Sequence, residues 1–213
     1  MNWMKEFIIF GKNKSMQDIN KIVEEAFSLY MPQDKEEIIK LTEYLVNKNI
    51  KTTVEIGTKF GGTFFIWCSL LKGVKISLDI PDGIHGGVSK KDFLKRNVDF
   101  LSKFKGVCFI EGNSHHLTTL DKLKKTLKGV SIDFLFIDGD HTYDGVKKDY
   151  EMYSTLVNSG GIIVFHDIND TQRHRERNVF VGKFWEEIKN TEKEYFEINS
   201  NKDWAGIGVL IKK

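Results

Sequence analysis

The sequence predicts an α/β fold, a three-layer sandwich in which helices cover both faces of a mostly parallel sheet. From about residue 52, short apolar runs alternate with stretches long enough for helices, and this alternation favours parallel strands joined by helical crossovers. The runs are continuously apolar, as expected of strands that are buried on both faces. The apolar runs lie at 53–56, 74–80, 107–110, 132–137 and 161–165, and the helical stretches at 62–72, 89–104, 115–128 and 142–158.

Both ends of the chain depart from this alternation. Apolar residues recur at three- and four-residue steps in residues 1–50, which predicts two helices separated by Pro32. These apolar residues are Met16, Ile19, Val23, Phe27 and Tyr30, followed by Ile38, Leu41 and Leu45. At the other end, "YFEIN" and "WAGIGVLIKK" predict an antiparallel hairpin. We expect residues 1–50 to form a helical segment that packs on the core of residues 51–213 within a single domain.

Composition limits the partners and the compartment. The chain has 213 residues and a formal net charge of +2, which gives no strong attraction to nucleic acid or to a membrane surface. No stretch approaches the ~20 apolar residues of a membrane span, and the first apolar run is too short for a signal peptide. Cys68 and Cys108 lie among apolar neighbours and are expected to be buried free thiols. We therefore expect a cytoplasmic protein that binds neither nucleic acid nor membranes, and whose N-terminal helices could pack against another subunit in a homo-oligomer.

Residues suited to ligand binding follow nearly every predicted strand. In open parallel sheets, ligands bind at the carboxyl ends of the strands. The strands here end at Gly57, Asp79, Glu111, Asp138 and the pair His166–Asp167. The sequence therefore places a candidate site at this edge of the sheet.

The loop after the first strand, "VEIGTKFGGT" at 54–63, indicates the type of cofactor. Its glycines permit close approach of the backbone to a ligand, although tight packing of strand against helix would also explain them. It lacks the G-x-G-x-x-G spacing of dinucleotide sites, since Lys59 stands at the second glycine position. The Glu55 carboxylate would repel a pyrophosphate and attract an ammonium group such as that of S-adenosylmethionine. Asp79 follows Gly57 by 22 residues, a spacing suited to ribose hydroxyls, although it could simply begin the "PDG" loop.

Six blocks in this order resemble a known family. They are "VEIGTKFGGT", "SLDI", "IEGNS", "IDGDHTYDGVKKDYE", "GGIIVFHD" and "GIGVL". Together they resemble class I S-adenosylmethionine-dependent methyltransferases, most of all the O-methyltransferase branch of macrolide-sugar and rhamnosyl methyltransferases and cephalosporin-hydroxylase-like proteins. The resemblance covers roughly residues 50–212 and implies a Rossmann-like, seven-stranded sheet with a reversed last strand.

The resemblance also implies positions around the cofactor. The methionine end would be lined by Glu55, Gly57, Thr58, Gly61 and Thr63. Asp79 would hold the ribose, Asn113 and Ser114 would contact the adenine with His115 beside them, and Asp138 would lie at both the cofactor and the catalytic centre.

"IDGDHTYDGV" at 137–146 supplies the candidate base. Methyl transfer to a hydroxyl requires removal of its proton, and His141 is largely neutral at neutral pH if its pKa is near ~6.5. The related sugar methyltransferases have histidine at this position of the motif, and catechol-type enzymes have lysine. A second interpretation makes His141 a helix cap, although Asp140 or Thr142 suits that role better, and Asp144 suits the first helical turn.

Asp138 and Asp167 end neighbouring predicted strands and could bind one divalent metal ion, Mg²⁺ or Mn²⁺. His166 stands where metal-dependent relatives have a carboxylate, and imidazole suits Mn²⁺, Fe²⁺ or Zn²⁺ better than Mg²⁺. The candidate metal ligands are therefore Asp138, His166 and Asp167. Two alternatives stay open, because His166 could be a core histidine and both carboxylates could serve only to orient His141 and the acceptor.

The sequence favours an O-methyltransferase that acts on a hydroxyl of a sugar or another small polar molecule. Arg173, Arg175 and Arg177 in the polar segment 168–180 could bind an acidic substrate or simply be solvated, whereas Phe184 and Trp185 have the spacing of core residues. A nucleic-acid or protein methyltransferase, an NAD-dependent oxidoreductase and a non-catalytic adenosyl-binding module remain rival interpretations. The acceptor itself lies beyond what the motifs specify.

Overall fold

The computed structural model describes residues 15–83, 87–191, 194–200 and 203–213. Residues 1–14 of the expected helical segment lie outside this part of the chain. Within it, seven strands form one sheet in the order β3-β2-β1-β4-β5-β7-β6. Their bounds are β1 Thr52–Ile56, β2 Val74–Asp79, β3 Val107–Glu111, β4 Ile132–Ile137, β5 Val157–His166, β6 Glu194–Ile198 and β7 Ile207–Ile211.

The first five strands are parallel, and the last two are antiparallel to their neighbours. β1 pairs with β2 and β4, β2 with β3, and β4 with β5, all in parallel. β7 pairs antiparallel with both β5 and β6. The predicted fold class is confirmed, including the antiparallel C-terminal hairpin.

Helices cover both faces of this sheet. They are α1 Met16–Phe27, α2 Lys35–Val46, α3 Gly62–Leu70, α4 Lys90–Lys103, α5 Leu117–Leu127, α6 Tyr143–Tyr153, α7 Gln172–Glu176 and α8 Val181–Ile188. Because side chains alternate along a strand, Phe134 and Phe136 of β4 pack in one apolar layer with α1, α2 and α3. Leu135 and Ile137 pack in the other layer with α5, α6 and α8. The two layers explain why β4 is apolar at almost every position.

The helix predicted over 142–158 is too long. α6 ends at Tyr153, a 3-10 turn covers Ser154–Leu156, and Val157 begins β5 opposite Ile132. Val157 belongs to the sheet and is only 4% exposed. Because a buried position is apolar in either structure, Val157 continues the apolar spacing of the preceding helix. The sequence pattern reports burial and does not separate the end of a helix from the start of a buried strand.

The two cysteines differ in burial. Cys68 on α3 is buried, as expected, but Cys108 is only half-buried. The prediction for Cys108 was wrong because β3 lies at the edge of the sheet, where a strand has a neighbour on one side only. In the described part of the chain, no helix is long and apolar enough to cross a membrane.

The topology creates a crevice beside β1. β2 lies on one side of β1 and β4 on the other, so the helical connections of these strands leave the sheet in different directions at this point. Gly57 follows β1 with φ +83°, and a Cβ at this position would lie 2.2 Å from the Asp138 carbonyl oxygen. Glycine at residue 57 therefore allows the loops after β1 and β4 to lie side by side.

Candidate active site

A cavity of about 220 Å³ lies at the carboxyl ends of the strands. Most residues predicted to bind a cofactor, to act as a base or to bind a metal line it. These residues are Gly57, Thr58, Thr63, Asp79, Asn113, Ser114, Asp138, His141, His166 and Asp167. The structure thus brings together side chains that come from the ends of five strands.

Glu55 and Gly61, both expected around the methionine end of the cofactor, do not line the cavity. Glu55 is fully buried, and its Oε2 accepts a hydrogen bond of 2.6 Å from Trp67 Nε1 of α3. Burial raises the pKa of Glu55 to about 8, although hydrogen bonds from neighbouring side chains oppose this shift. The carboxyl group is therefore mostly neutral near pH 7, and attraction to a cofactor ammonium is weaker than a free carboxylate would give. Gly61 instead begins α3 at φ +90°.

Glu55 should make stability depend on pH. The folded protein keeps the proton up to about pH 8, whereas an unfolded glutamate loses it near pH ~4.3. The contribution of Glu55 to stability is therefore greatest below the unfolded pKa and falls as pH rises through the window between the two values. Glu55→Gln, which does not titrate, should gain stability relative to the wild type by on the order of a few kcal/mol between pH 5 and pH 8.

Urea unfolding at several pH values checks this expectation. Glu25→Gln, an exposed change on α1, is the matched control. A stability difference between Glu55→Gln and wild type that stays constant from pH 5 to pH 8 would contradict the shifted pKa.

Asp79 is held at the lip of the cavity by Arg96, which sequence reasoning missed. Asp79 Oδ2 accepts hydrogen bonds from Lys59 N at 3.0 Å and from Arg96 Nη1 at 2.8 Å, and Oδ1 accepts one from Ile80 N. Arg96 also donates to the Lys59 carbonyl oxygen and is 7% exposed. The arginine thus links the loops after β1 and β2 and orients the carboxylate predicted to bind ribose. No motif identifies it, because it belongs to α4.

The segment after β3 is also internally fixed. Asn113 Oδ1 accepts a hydrogen bond of 2.8 Å from His115 N, and the Ser114 carbonyl accepts one from Tyr153 of α6. His115 lines the cavity, and its Nε2 lies 3.4 Å from Oδ1 of the buried Asp149. Hydrogen bonding and charge from Asp149 raise the pKa of His115 above its ordinary value, against the effect of burial. This end of the cavity therefore offers both backbone groups and a histidine.

Two carboxylates flank His141 at the other end. His141 Nε2 lies 3.2 Å from Asp138 Oδ1, and His141 Nδ1 lies 3.1 Å from Asp167 Oδ2. The neighbouring His166 Nδ1 is 3.3 Å from Asp138 Oδ1 and 3.2 Å from Asp167 Oδ1. Asp167 adopts φ +63° directly after β5, and this turn of the backbone brings its carboxylate back over the strand end. The predicted convergence of Asp138, His141, His166 and Asp167 is observed.

The pKa values in this cluster are shifted by the charges of its four members, Asp138, His141, His166 and Asp167. Burial lowers the pKa of His141, but Asp138 and Asp167 outweigh it and raise the pKa to about 10. Burial raises the pKa of each carboxyl group, but His166 and His141 outweigh it and hold both values below normal. His141 is therefore protonated at neutral pH, and His166, whose pKa the same two carboxylates also raise well above its ordinary value, shares them with it. A divalent ion bound to the same carboxylates would compete with that proton.

The donor set is suitable for a divalent ion. In the described part of the chain, ligand atoms of Asp138, His141 and Asp167 lie within 4.8 Å of one another. Asp167 Oδ1 and His166 Nδ1 lie 3.2 Å apart but do not form a well-directed hydrogen bond, and a bound ion would satisfy the carboxylate oxygen and one ring nitrogen of His166. The mixture of carboxylate oxygen and imidazole nitrogen suits Mn²⁺ at least as well as Mg²⁺.

The contacts around His141 show which residue caps the N-terminus of α6. Thr142 is the N-cap of α6, since its hydroxyl accepts a hydrogen bond of 3.1 Å from Gly145 N. Asp140 accepts a hydrogen bond from Thr142 N, and Asp144 lies in the first turn. His141 does not cap α6, so its side chain is available to the cavity.

Segment 168–180 contains a short helix and a buried histidine, so it is not a wholly solvated loop. It contains α7, and His174 within it is 3% exposed, with Nδ1 2.6 Å from the Asn169 carbonyl and Nε2 3.6 Å from Asp167 Oδ1. The three arginines are exposed and do not line the cavity. Phe184 and Trp185 are buried in the core, as predicted. Because the segment is polar, its sequence did not indicate that His174 is buried.

Sheet order and site together define a class I methyltransferase-type protein. A family model described as a methyltransferase domain matches residues 54–168, which is more than half of the chain. The chain belongs to this methyltransferase-domain family.

Further similarities concern one sequence relative and two solved structures. An uncharacterized protein of Acanthamoeba polyphaga mimivirus is 35% identical over 123 residues, covering 58% of this chain and 54% of that protein. The chain thus spans about half the length of this curated relative. An O-methyltransferase from Bacillus cereus in complex with S-adenosylhomocysteine has a TM-score of 0.60 at 16% identity, covering 96% of this chain and 94% of that one. MycE methyltransferase from the mycinamycin biosynthetic pathway, in complex with Mg, S-adenosylhomocysteine and mycinamycin VI, has a TM-score of 0.59 at 17% identity, covering 92% and 54%. These structures share the fold.

Proposed function

We propose that this protein transfers a methyl group from S-adenosylmethionine to a hydroxyl of a sugar or another small polar molecule. The observation that carries the proposal is the convergence of Asp138, His141 and Asp167 in the same cavity as the glycine loop after β1. The cavity thereby combines a place for an activated methyl donor with groups that can take a proton from the acceptor.

The cavity residues suit the parts of S-adenosylmethionine. The loop that carries Gly57 and Thr58 leads into the N-terminus of α3, which carries Thr63 and whose free N–H groups favour the cofactor carboxylate. The Asp79 carboxylate can accept hydrogen bonds from ribose hydroxyls while Arg96 holds it in place. Asn113 and Ser114 lie at the end of β3, beside the position expected for the adenine.

His141 is the proposed general base. Its side chain is 28% exposed, more than those of Asp138 and Asp167 beside it, so it is the member of the cluster best placed to meet an acceptor. Asp138 and Asp167 would hold a divalent ion, with His166 as a further candidate ligand. Such an ion supplies Lewis acidity that makes a hydroxyl easier to deprotonate. The carboxylates orient His141 by contacting both of its ring nitrogens.

A second candidate function is a non-catalytic adenosyl-binding module. It is favoured only by the contacts of both His141 ring nitrogens with Asp138 and Asp167, which leave neither nitrogen free to take a proton unless a cation binds the carboxylates. A nucleic-acid or protein acceptor receives no support from the net charge of +2.

Transfer of labelled methyl groups distinguishes these functions. The full chain would be incubated with S-[methyl-³H]adenosylmethionine, Mg²⁺ or Mn²⁺, and a panel of sugars, nucleotide sugars and phenols, with an oligonucleotide and a protein as comparators. Label in a small hydroxylated product, with S-adenosylhomocysteine formed in equal amount, is expected. Cofactor binding without turnover on any acceptor would favour the non-catalytic module, and label only in the macromolecules would replace the proposed acceptor class.

A further inference from the structure

Gln33 reaches the catalytic cluster from the connection between α1 and α2, outside every motif in the sequence. Its Nε2 donates a hydrogen bond of 2.8 Å to Asp138 Oδ2, and the residue is 7% exposed. The other carboxylate oxygen, Asp138 Oδ1, lies 3.2 Å from His141 Nε2. Gln33 therefore contacts one oxygen of the Asp138 carboxylate, and His141 lies close to the other oxygen.

The connection that carries Gln33 is fixed against the glycine loop. Met31 packs on Gly62, where a Cβ would lie 2.6 Å from the Met31 Cβ. The ring of Tyr30 meets the ring of Phe60 edge to face, with centroids 5.3 Å apart. These contacts tie the connection to the loop after β1, so Gln33 is presented to Asp138 in a defined position.

Stability alone does not account for glutamine at residue 33. Its Oε1 is buried without a hydrogen-bond partner among the described residues, and burial of an unpaired amide oxygen is unfavourable. An apolar side chain of the same length would avoid that penalty but would deprive Asp138 Oδ2 of this donor. The amide is thus best explained by its donor group, which acts on Asp138.

We propose that Gln33 is a positioning residue, which fixes the Asp138 carboxylate so that His141 is correctly oriented in the site. The inference deepens the proposed function and rests on it for the catalytic use of His141. It also makes the N-terminal helices part of the active site, because α1 and α2 carry the connection. Outer partners of this kind commonly change metal affinity or activity by about 10–100-fold.

Two variants of Gln33 distinguish hydrogen-bond donation to Asp138 from packing of the side chain. Gln33→Met keeps the length and removes the donor, and Gln33→Lys restores an N–H donor. We expect Gln33→Met to lower kcat for methyl transfer by about 10–100-fold, with little change in KM for S-adenosylmethionine and a fall in Tm too small to account for the lost kcat. Gln33→Lys should recover part of the lost kcat. Gln17→Met, the same change at an exposed position of α1, is the control.

A spectroscopic measurement tests the inference without any acceptor. The imidazole ¹⁵N resonances of His141 would be assigned by comparison with His141→Asn, and we expect Gln33→Met to shift them while Gln17→Met does not. Unchanged His141 resonances, or a loss of kcat that merely follows a loss of Tm, would overturn the inference. Shifted resonances in a protein whose His141→Asn variant keeps full turnover would support positioning by Gln33 and reject His141 as the base.

Discussion

Replacement of His141 by Asn should lower kcat for methyl transfer by about 10²–10⁴-fold, the range typical for loss of a general base. Asparagine preserves polarity and approximate size, but it cannot take a proton from the acceptor. His141 contacts both Asp138 and Asp167 and is not among the residues expected around the cofactor. Affinity for S-adenosylhomocysteine should therefore stay within about threefold of the wild type, as expected when only a transition-state interaction is lost.

Steady-state kinetics and calorimetry on the same preparation measure both quantities. His116→Asn is the matched control, since His116 is an exposed histidine at the start of α5. A variant that retains more than about a tenth of the wild-type kcat would contradict a role for His141 as general base.

Gly57→Ala should cause the largest loss of stability. The alanine Cβ would lie 2.2 Å from the Asp138 carbonyl oxygen, at a backbone φ of +83°. The left-handed conformation alone costs about 1–2 kcal/mol, and the clash forces apart two loops that are held by hydrogen bonds between strands. We expect the free energy of unfolding to fall by about 4 kcal/mol or more, with loss of cofactor binding.

Gly129→Ala isolates the clash from the backbone conformation. Gly129 also has φ +83°, but nothing lies within 4 Å of the position that its Cβ would occupy. Urea unfolding should show a loss of only about 1–2 kcal/mol for this control. Equal losses for the two variants would mean that close approach of the loops contributes little.

The main features of the fold were predictable because they depend on local patterns. Continuous apolar runs such as 132–137 identified the parallel strands, and the residues at their ends converged as the topology requires. The helix over 142–158 was overextended because Val157 is buried in either structure. Burial patterns alone do not locate that boundary.

The supporting residues of the site were not predictable in the same way. Gln33 and Arg96 act on Asp138 and Asp79 from distant elements, and no sequence spacing links such pairs. His174 lies in a polar segment, although it is buried. The position of Glu55 in the motif suggested contact with a ligand. The alternation of side chains along β1 instead places it against Trp67 of α3. The motifs thus identified most of the residues that line the cavity, whereas tertiary packing determines which residues hold them in place.

Calorimetry of S-adenosylhomocysteine binding to the wild type and to Asp79→Ala, with NAD as comparator, tests the central claim most directly. We predict one site for S-adenosylhomocysteine, an affinity at least about tenfold weaker in Asp79→Ala because the ribose loses a charged hydrogen-bond partner, and no heat from NAD. Failure of the wild type to bind, or equal binding of NAD, would contradict the assignment of this cavity to S-adenosylmethionine.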